Sequence, residues 1–162
     1  MNIAIASRQR VRKINRRLLK QIIAALLADL KIEKADLGIH LVAAAEMMRL
    51  NEKFLRHAGS TDVITFDYQT EGGMGSPLPA GGAHGVPRPT LHGEILVCVD
   101  EAVLQARKFG ANWQSEVVRY VVHGILHLLG FDDSSAGARR KMKREENRRL
   151  RELSRRFALS KL

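Results

Sequence analysis

The chain has 162 residues, 45% of them hydrophobic, which is enough for one domain with a single core that needs no disulfide. Its one cysteine, Cys98, excludes an intramolecular disulfide and a multi-cysteine zinc site, and no apolar run reaches the roughly 18–20 residues of a membrane span. The formal net charge of +10 gathers at the two ends: seven basic and no acidic residues up to Lys20, then eleven basic and three acidic from Arg139 to Leu162. Phosphate backbones are the commonest partner of such a field, because each neutralised phosphate releases counterions. The alternative is a solvated basic helix face. The first residues lack the basic-then-apolar order of a signal peptide, so a soluble cytoplasmic protein is expected.

Val11, Ile14, Leu18, Ile22 and Leu26 recur at helical spacing, and Arg12, Lys13, Arg16 and Lys20 occupy the outer face of the helix they predict. Leu37, Ile39, Leu41 and Ala43 alternate with Gly38, His40 and Val42, which predicts a strand with His40 on its other face and without a catalytic role. Glu46 to Arg56 returns to helical spacing through Met47, Leu50 and Phe54, and Thr61 to Tyr68 reads as a second strand. Residues 69–90 are rich in Gly and Pro and read as a flexible loop, in which His84 is a metal candidate without partners. Glu94 to Val99 is a buried strand by pattern. Asp100 is placed to cap a helix that ends at Gly110. A further helix starts near Asn112, and a basic one occupies much of residues 135–162. Together these predict an α+β fold in one domain over residues 1–162, with a small mixed sheet of three to four strands packed against about five helices.

The chemistry concentrates in Val122-His123-Gly124-Ile125-Leu126-His127-Leu128-Leu129-Gly130-Phe131-Asp132-Asp133. At 3.6 residues per turn, His123 and His127 project from one helix face, and two neutral imidazoles so spaced can bind one metal ion. Gly130 offers a helix stop after which Asp132 or Asp133 can turn back toward the pair. Three protein ligands leave one position of a tetrahedral zinc open, as in catalytic sites. The helix is apolar nearly all round, so it is expected to be buried with the histidines facing a cleft.

Four segments in order, Leu50-Asn51, Thr61-Asp62-Val63-Ile64-Thr65-Phe66, Gly93-Glu94-Ile95 and His123 to Asp132, resemble the YbeY family of bacterial rRNA maturation endoribonucleases from about Asn2 to the final helix. The resemblance implies an α+β fold, one Zn²⁺ per chain, and metal-dependent cleavage of single-stranded RNA. The expected role is 16S rRNA 3′-end maturation and ribosome quality control. It also implies contacts with the pre-ribosomal small subunit, a ribosomal protein and an assembly GTPase. The family's third zinc ligand is a histidine six residues after the second. Here Asp133 stands there, so the expected metal ligands are His123, His127 and Asp133. Asp132 supports them, although the two aspartates could exchange roles. A carboxylate makes bound water less acidic and favours harder ions such as Mn²⁺. The family's arginine four residues after the Leu-Asn asparagine is replaced by Leu55, which leaves Arg56 as a candidate RNA phosphate contact.

Two other readings compete. A zinc peptidase of the His-Glu-x-x-His kind needs a general base where Gly124 stands, with only Glu94 or Glu116 as substitutes. A non-catalytic zinc-containing ribosome assembly factor would use the basic ends for docking alone. No residue identifies the general base or the oligomeric state.

Overall fold

The computed structural model describes residues 1–55, 61–68 and 90–162. Arg56, His84 and the Gly/Pro-rich loop up to Pro89 lie outside the described residues, while Thr90 already belongs to a strand.

Four strands form one sheet: β1 (Asn2–Ser7), β2 (Lys34–Val42), β3 (Val63–Asp67) and β4 (Thr90–Cys98), in the order β1-β2-β4-β3. The first three in that order run parallel, and β3 is antiparallel to β4. Parallel neighbours need a crossover, and α1 (Arg16–Asp29) supplies the one between β1 and β2. The remaining helices are α2 (Ala44–Leu55), α3 (Val99–Phe109), α4 (Trp113–Leu128) and α5 (Ala136–Arg156), followed by a short 3₁₀ turn at Leu159–Lys161. This is the expected α+β architecture, with four strands and five α-helices among the described residues. None of its described helices is long and apolar enough to cross a membrane.

Alternation along the central strands decides which side carries the main core. Leu37, Ile39 and Leu41 on β2 stand beside Gly93, Ile95 and Val97 on β4, and all the apolar ones are buried. Onto this face pack α1 and α4, with α5 behind them. The apolar helix is buried as its pattern requires: Val117, Val118, Val121, Val122, Ile125, Leu126 and Leu128 are all shielded. At about 1.5–3 kcal/mol per buried large aliphatic side chain, this helix is a principal source of stability. The opposite face carries a smaller cluster of Val42, Ile64, Phe66, Leu96 and Cys98 beneath Met47 of α2. His40 and Glu94 also lie on that opposite face, beside Gly38.

Several boundaries differ from the sequence expectation for identifiable reasons. Strand β1 is absent from the predicted elements; it is an edge strand whose pattern is completed only by pairing with Asp36 to Leu41. Val11 and Ile14 pack on the core but precede α1. Gln9 ties off that segment through Arg12, and the Asn15 side chain caps the helix by accepting from Leu18 N at 3.1 Å. Asp100 does not cap its own helix: its carboxylate accepts from Ala44 N at 2.6 Å and so caps α2. Gly110 ends α3 as predicted, in the left-handed region at φ 62°, and α4 starts where expected, with the Asn112 side chain as its cap.

Candidate metal centre

The site is built at the end of α4. Gly130 adopts φ 86°, Phe131 N donates to Leu126 O and Gly130 N to His127 O, a Schellman ending that needs a residue tolerant of positive φ. This turn sends the chain back along the helix it has just left. The Phe131 carbonyl thereby meets His127 Nδ1 at 3.1 Å, and Asp133 arrives beside the histidine pair. Asp132 points elsewhere. Its carboxylate accepts from the backbone and hydroxyl of Ser134, bonds that hold its pKa below the ordinary carboxylate value.

The imidazole nitrogens have an informative arrangement. His127 Nδ1 faces a carbonyl, which accepts only, so this nitrogen carries the proton and donates. His123 Nδ1 faces Glu146 Oε2 at 3.1 Å, and the same reasoning applies. Both Nε2 atoms are then left with lone pairs, and they face each other at 3.0 Å. Two acceptors at that distance repel unless a cation lies between them. A proton or a metal ion satisfies the pair; an apolar or anionic group does not. Asp133 Oδ2 adds a negative oxygen at 3.9 Å from His127 Nε2 and 4.0 Å from His123 Nε2. Donors sharing one tetrahedral zinc at 2.0–2.1 Å stand about 3.3 Å apart, so the pair needs little change and Asp133 a small inward turn. The donor set fits a metal ion. His123, His127 and Asp133 can hold one, and their ligand atoms lie within 4.8 Å of one another.

Glu146 is not among the site residues the sequence predicts, where it is one of three acidic residues in a basic helix. It is 6% exposed, accepts from Arg119 Nη1 at 2.7 Å as well as from His123, and so fixes the tautomer of the first imidazole. Arg119 is held in turn by Asn147 Oδ1 at 2.7 Å and Glu116 Oε1 at 3.4 Å. The available signal was a carboxylate on the apolar stripe of α5, between Met142 and Leu153, which are both buried. Burial pushes the Glu146 pKa up, but the bonds from His123 and Arg119 outweigh it and hold the group below its ordinary value. Burial likewise opposes charge on His123, yet Glu146, Asp62 and Asp133 raise its pKa above 6.5. His127 is lowered, by burial and by the neighbouring His123. A single proton on the pair thus belongs on His123.

The two proposed substitute bases take no part in this cluster. Glu116 is engaged with Arg119, and Glu94 accepts from Tyr68 Oη at 3.2 Å on the opposite face of the sheet. Gly124 faces the sheet: a Cβ there would lie 2.7 Å from Ile95 Cγ2 and 3.2 Å from Thr65 Cγ2. A glutamate there would have to displace Ile95 and Thr65, so packing disfavours it at the position the peptidase motif needs. Gly93 is similarly confined, since a Cβ would strike the Phe66 carbonyl and the Leu128 side chain. The two glycines let α4 settle closely on β3 and β4.

Residues 2–154 match the family model described as endoribonuclease YbeY. The chain belongs to the endoribonuclease YbeY family. Among its relatives of that name, one from Elusimicrobium minutum is 34% identical over 131 residues, covering 81% of this chain and 83% of that protein. Another, from Azobacteroides pseudotrichonymphae, is 29% identical over 140 residues, covering 86% and 88%. The fold is similar to a solution structure from Thermotoga maritima, with TM-score 0.60 and 26% identity over 93% of this chain and 88% of the other. Both glycine-dependent contacts fall in the segments that carry the resemblance to YbeY, as do His123 and His127.

Proposed function

We propose that the protein is a zinc-dependent endoribonuclease that cuts single-stranded RNA, acting in the cytoplasm in 16S rRNA 3′-end maturation and ribosome quality control. The observation that carries this reading is the convergence of two imidazole lone pairs and a carboxylate on one point, in a chain of the YbeY family. His123, His127 and Asp133 hold the ion, one per chain. When bound, zinc supplies Lewis acidity toward water and a phosphoryl oxygen.

The remaining work belongs to the chain. Glu146 and the Phe131 carbonyl keep both imidazoles in the metal-binding tautomer and orientation. The basic residues at the start of α1 and along α5 attract the phosphate backbone without reading bases. With only Trp113, two Tyr and five Phe to stack on bases, selectivity comes from docking on the pre-ribosomal small subunit, through a ribosomal protein and an assembly GTPase. Asp133 in place of an imidazole lowers the charge of the centre and makes water there less acidic, with greater tolerance for Mn²⁺.

The test is a double variant, His123→Ala with His127→Ala, assayed for zinc content and for cleavage of small-subunit rRNA. Zinc and cleavage are expected to disappear together. Full cleavage by the zinc-free double variant overturns the proposal.

A further inference from the structure

The Asp133 carboxylate lowers the net charge of the metal centre: it offsets one of the two charges of a divalent ion, while the two imidazoles that complete the ligand set are neutral and Asp132 is turned onto Ser134. A phosphodiester approaching this centre therefore meets a weaker attraction than a three-imidazole centre would give. Cations beside the centre would strengthen that hold.

The fold places two there. The His123 and His127 side chains are only 19% and 20% exposed, whereas Asp133 is 42% exposed, so solvent and ligands reach the cluster from the Asp133 side. Arg139 reaches the backbone of this same residue: its Nη1 donates to the Asp133 carbonyl at 3.3 Å. It also lies two helical turns before Glu146, so it shares the stripe of α5 whose later residue touches His123. Lys141 Nζ lies 5.7 Å from the centre of the Phe131 ring, on the residue whose carbonyl orients His127. Both side chains are exposed, and neither forms an ion pair among the described residues, in contrast to Arg148 and Arg149, which pair with Glu145, and Arg156, which pairs with Asp29. One N–H of the Arg139 guanidinium is used on the carbonyl, and the others remain in a fork suited to phosphate oxygens.

We infer that Arg139 and Lys141 form a phosphate grip beside the metal centre, holding an RNA phosphodiester against the ligand loop Phe131–Asp133. The inference rests on the endoribonuclease reading and names how that site holds its substrate. Arg139 supplies directional hydrogen bonds and Lys141 a second, mobile charge.

The test uses the full zinc-loaded chain, a labelled 2′-O-methyl RNA oligomer that resists cleavage, and an unmodified oligomer of the same sequence. Arg139→Ala with Lys141→Ala is expected to weaken binding about tenfold and to reduce the slope of log affinity against log salt by ~1.4, at ~0.7 per phosphate contact on a single strand. Zinc content and Tm stay as in the wild type, because both side chains are exposed. Arg139→Lys recovers the salt slope without the full affinity, a split that a merely structural role does not produce. Binding by the double variant with wild-type affinity and salt slope overturns the grip, whether or not cleavage occurs. Failure of the wild type to cut the unmodified oligomer counts instead against the endoribonuclease reading, and the binding arm still decides the grip.

Discussion

Glu146→Gln preserves the shape of a buried side chain and removes one of the two acceptors it offers. Glu146 accepts from Arg119 at 2.7 Å and from His123 at 3.1 Å. A glutamine has one carbonyl oxygen and one NH₂. If the oxygen stays on Arg119, the NH₂ faces His123 Nδ1, which must become an acceptor and move its proton to Nε2, where the metal lone pair was. If the amide turns the other way, NH₂ faces the guanidinium. Arg119 keeps Asn147 and Glu116 as partners, so its own loss is partial and the tautomer change carries most of the effect. Disturbing a carboxylate that orients a ligating histidine costs about 10–100-fold in metal affinity. Loss of one charge-assisted buried hydrogen bond costs ~1.5–3 kcal/mol of folding stability, below the ~3–5 kcal/mol of a fully stranded charge. Chelator competition measures the first quantity and urea unfolding in the absence of metal the second. Zinc affinity within twofold of wild type, with the variant folded, refutes the role assigned to Glu146.

The same contacts set the response to pH. The Glu146 pKa is lower in the folded protein than its ordinary 4.5, so its contribution is present above that value and lost as pH falls through the folded pKa; acid unfolding monitored by circular dichroism should be steeper in the wild type than in Glu146→Gln. The His123 pKa is raised from 6.5, so zinc must displace a proton there, and affinity measured by chelator competition should climb as pH rises through that raised pKa and level off above it; a flat profile contradicts the assignment. Gly124→Ala would stabilise an exposed helix by about 1 kcal/mol, but its Cβ would meet Ile95 at 2.7 Å and overpacking costs ~1–3 kcal/mol, so urea unfolding should show a net loss of about 1 kcal/mol. Asp133→Ala should lose zinc on dialysis while Asp133→His retains it at least as tightly as wild type; equal zinc retention by Asp133→Ala would remove Asp133 from the ligand set.

Features that depend on neighbours along the chain are legible in the residues alone. His123 and His127 share a face because hydrogen bonds within one helix set residues i and i+4 side by side. Gly130 ends that helix because the left-handed conformation favours glycine, and the short reach from Gly130 to Asp133 made a third donor foreseeable. The apolar girdle of α4 likewise announced its burial. Contacts between segments far apart in sequence come from the packing of the fold: Glu146 against His123, Asp100 capping α2 and β1 completing the sheet edge. A charged residue on a basic helix has no sequence mark that tells a buried partner from a solvated neighbour. Packing makes that distinction, because burial leaves a carboxylate stable only where donors already wait for it.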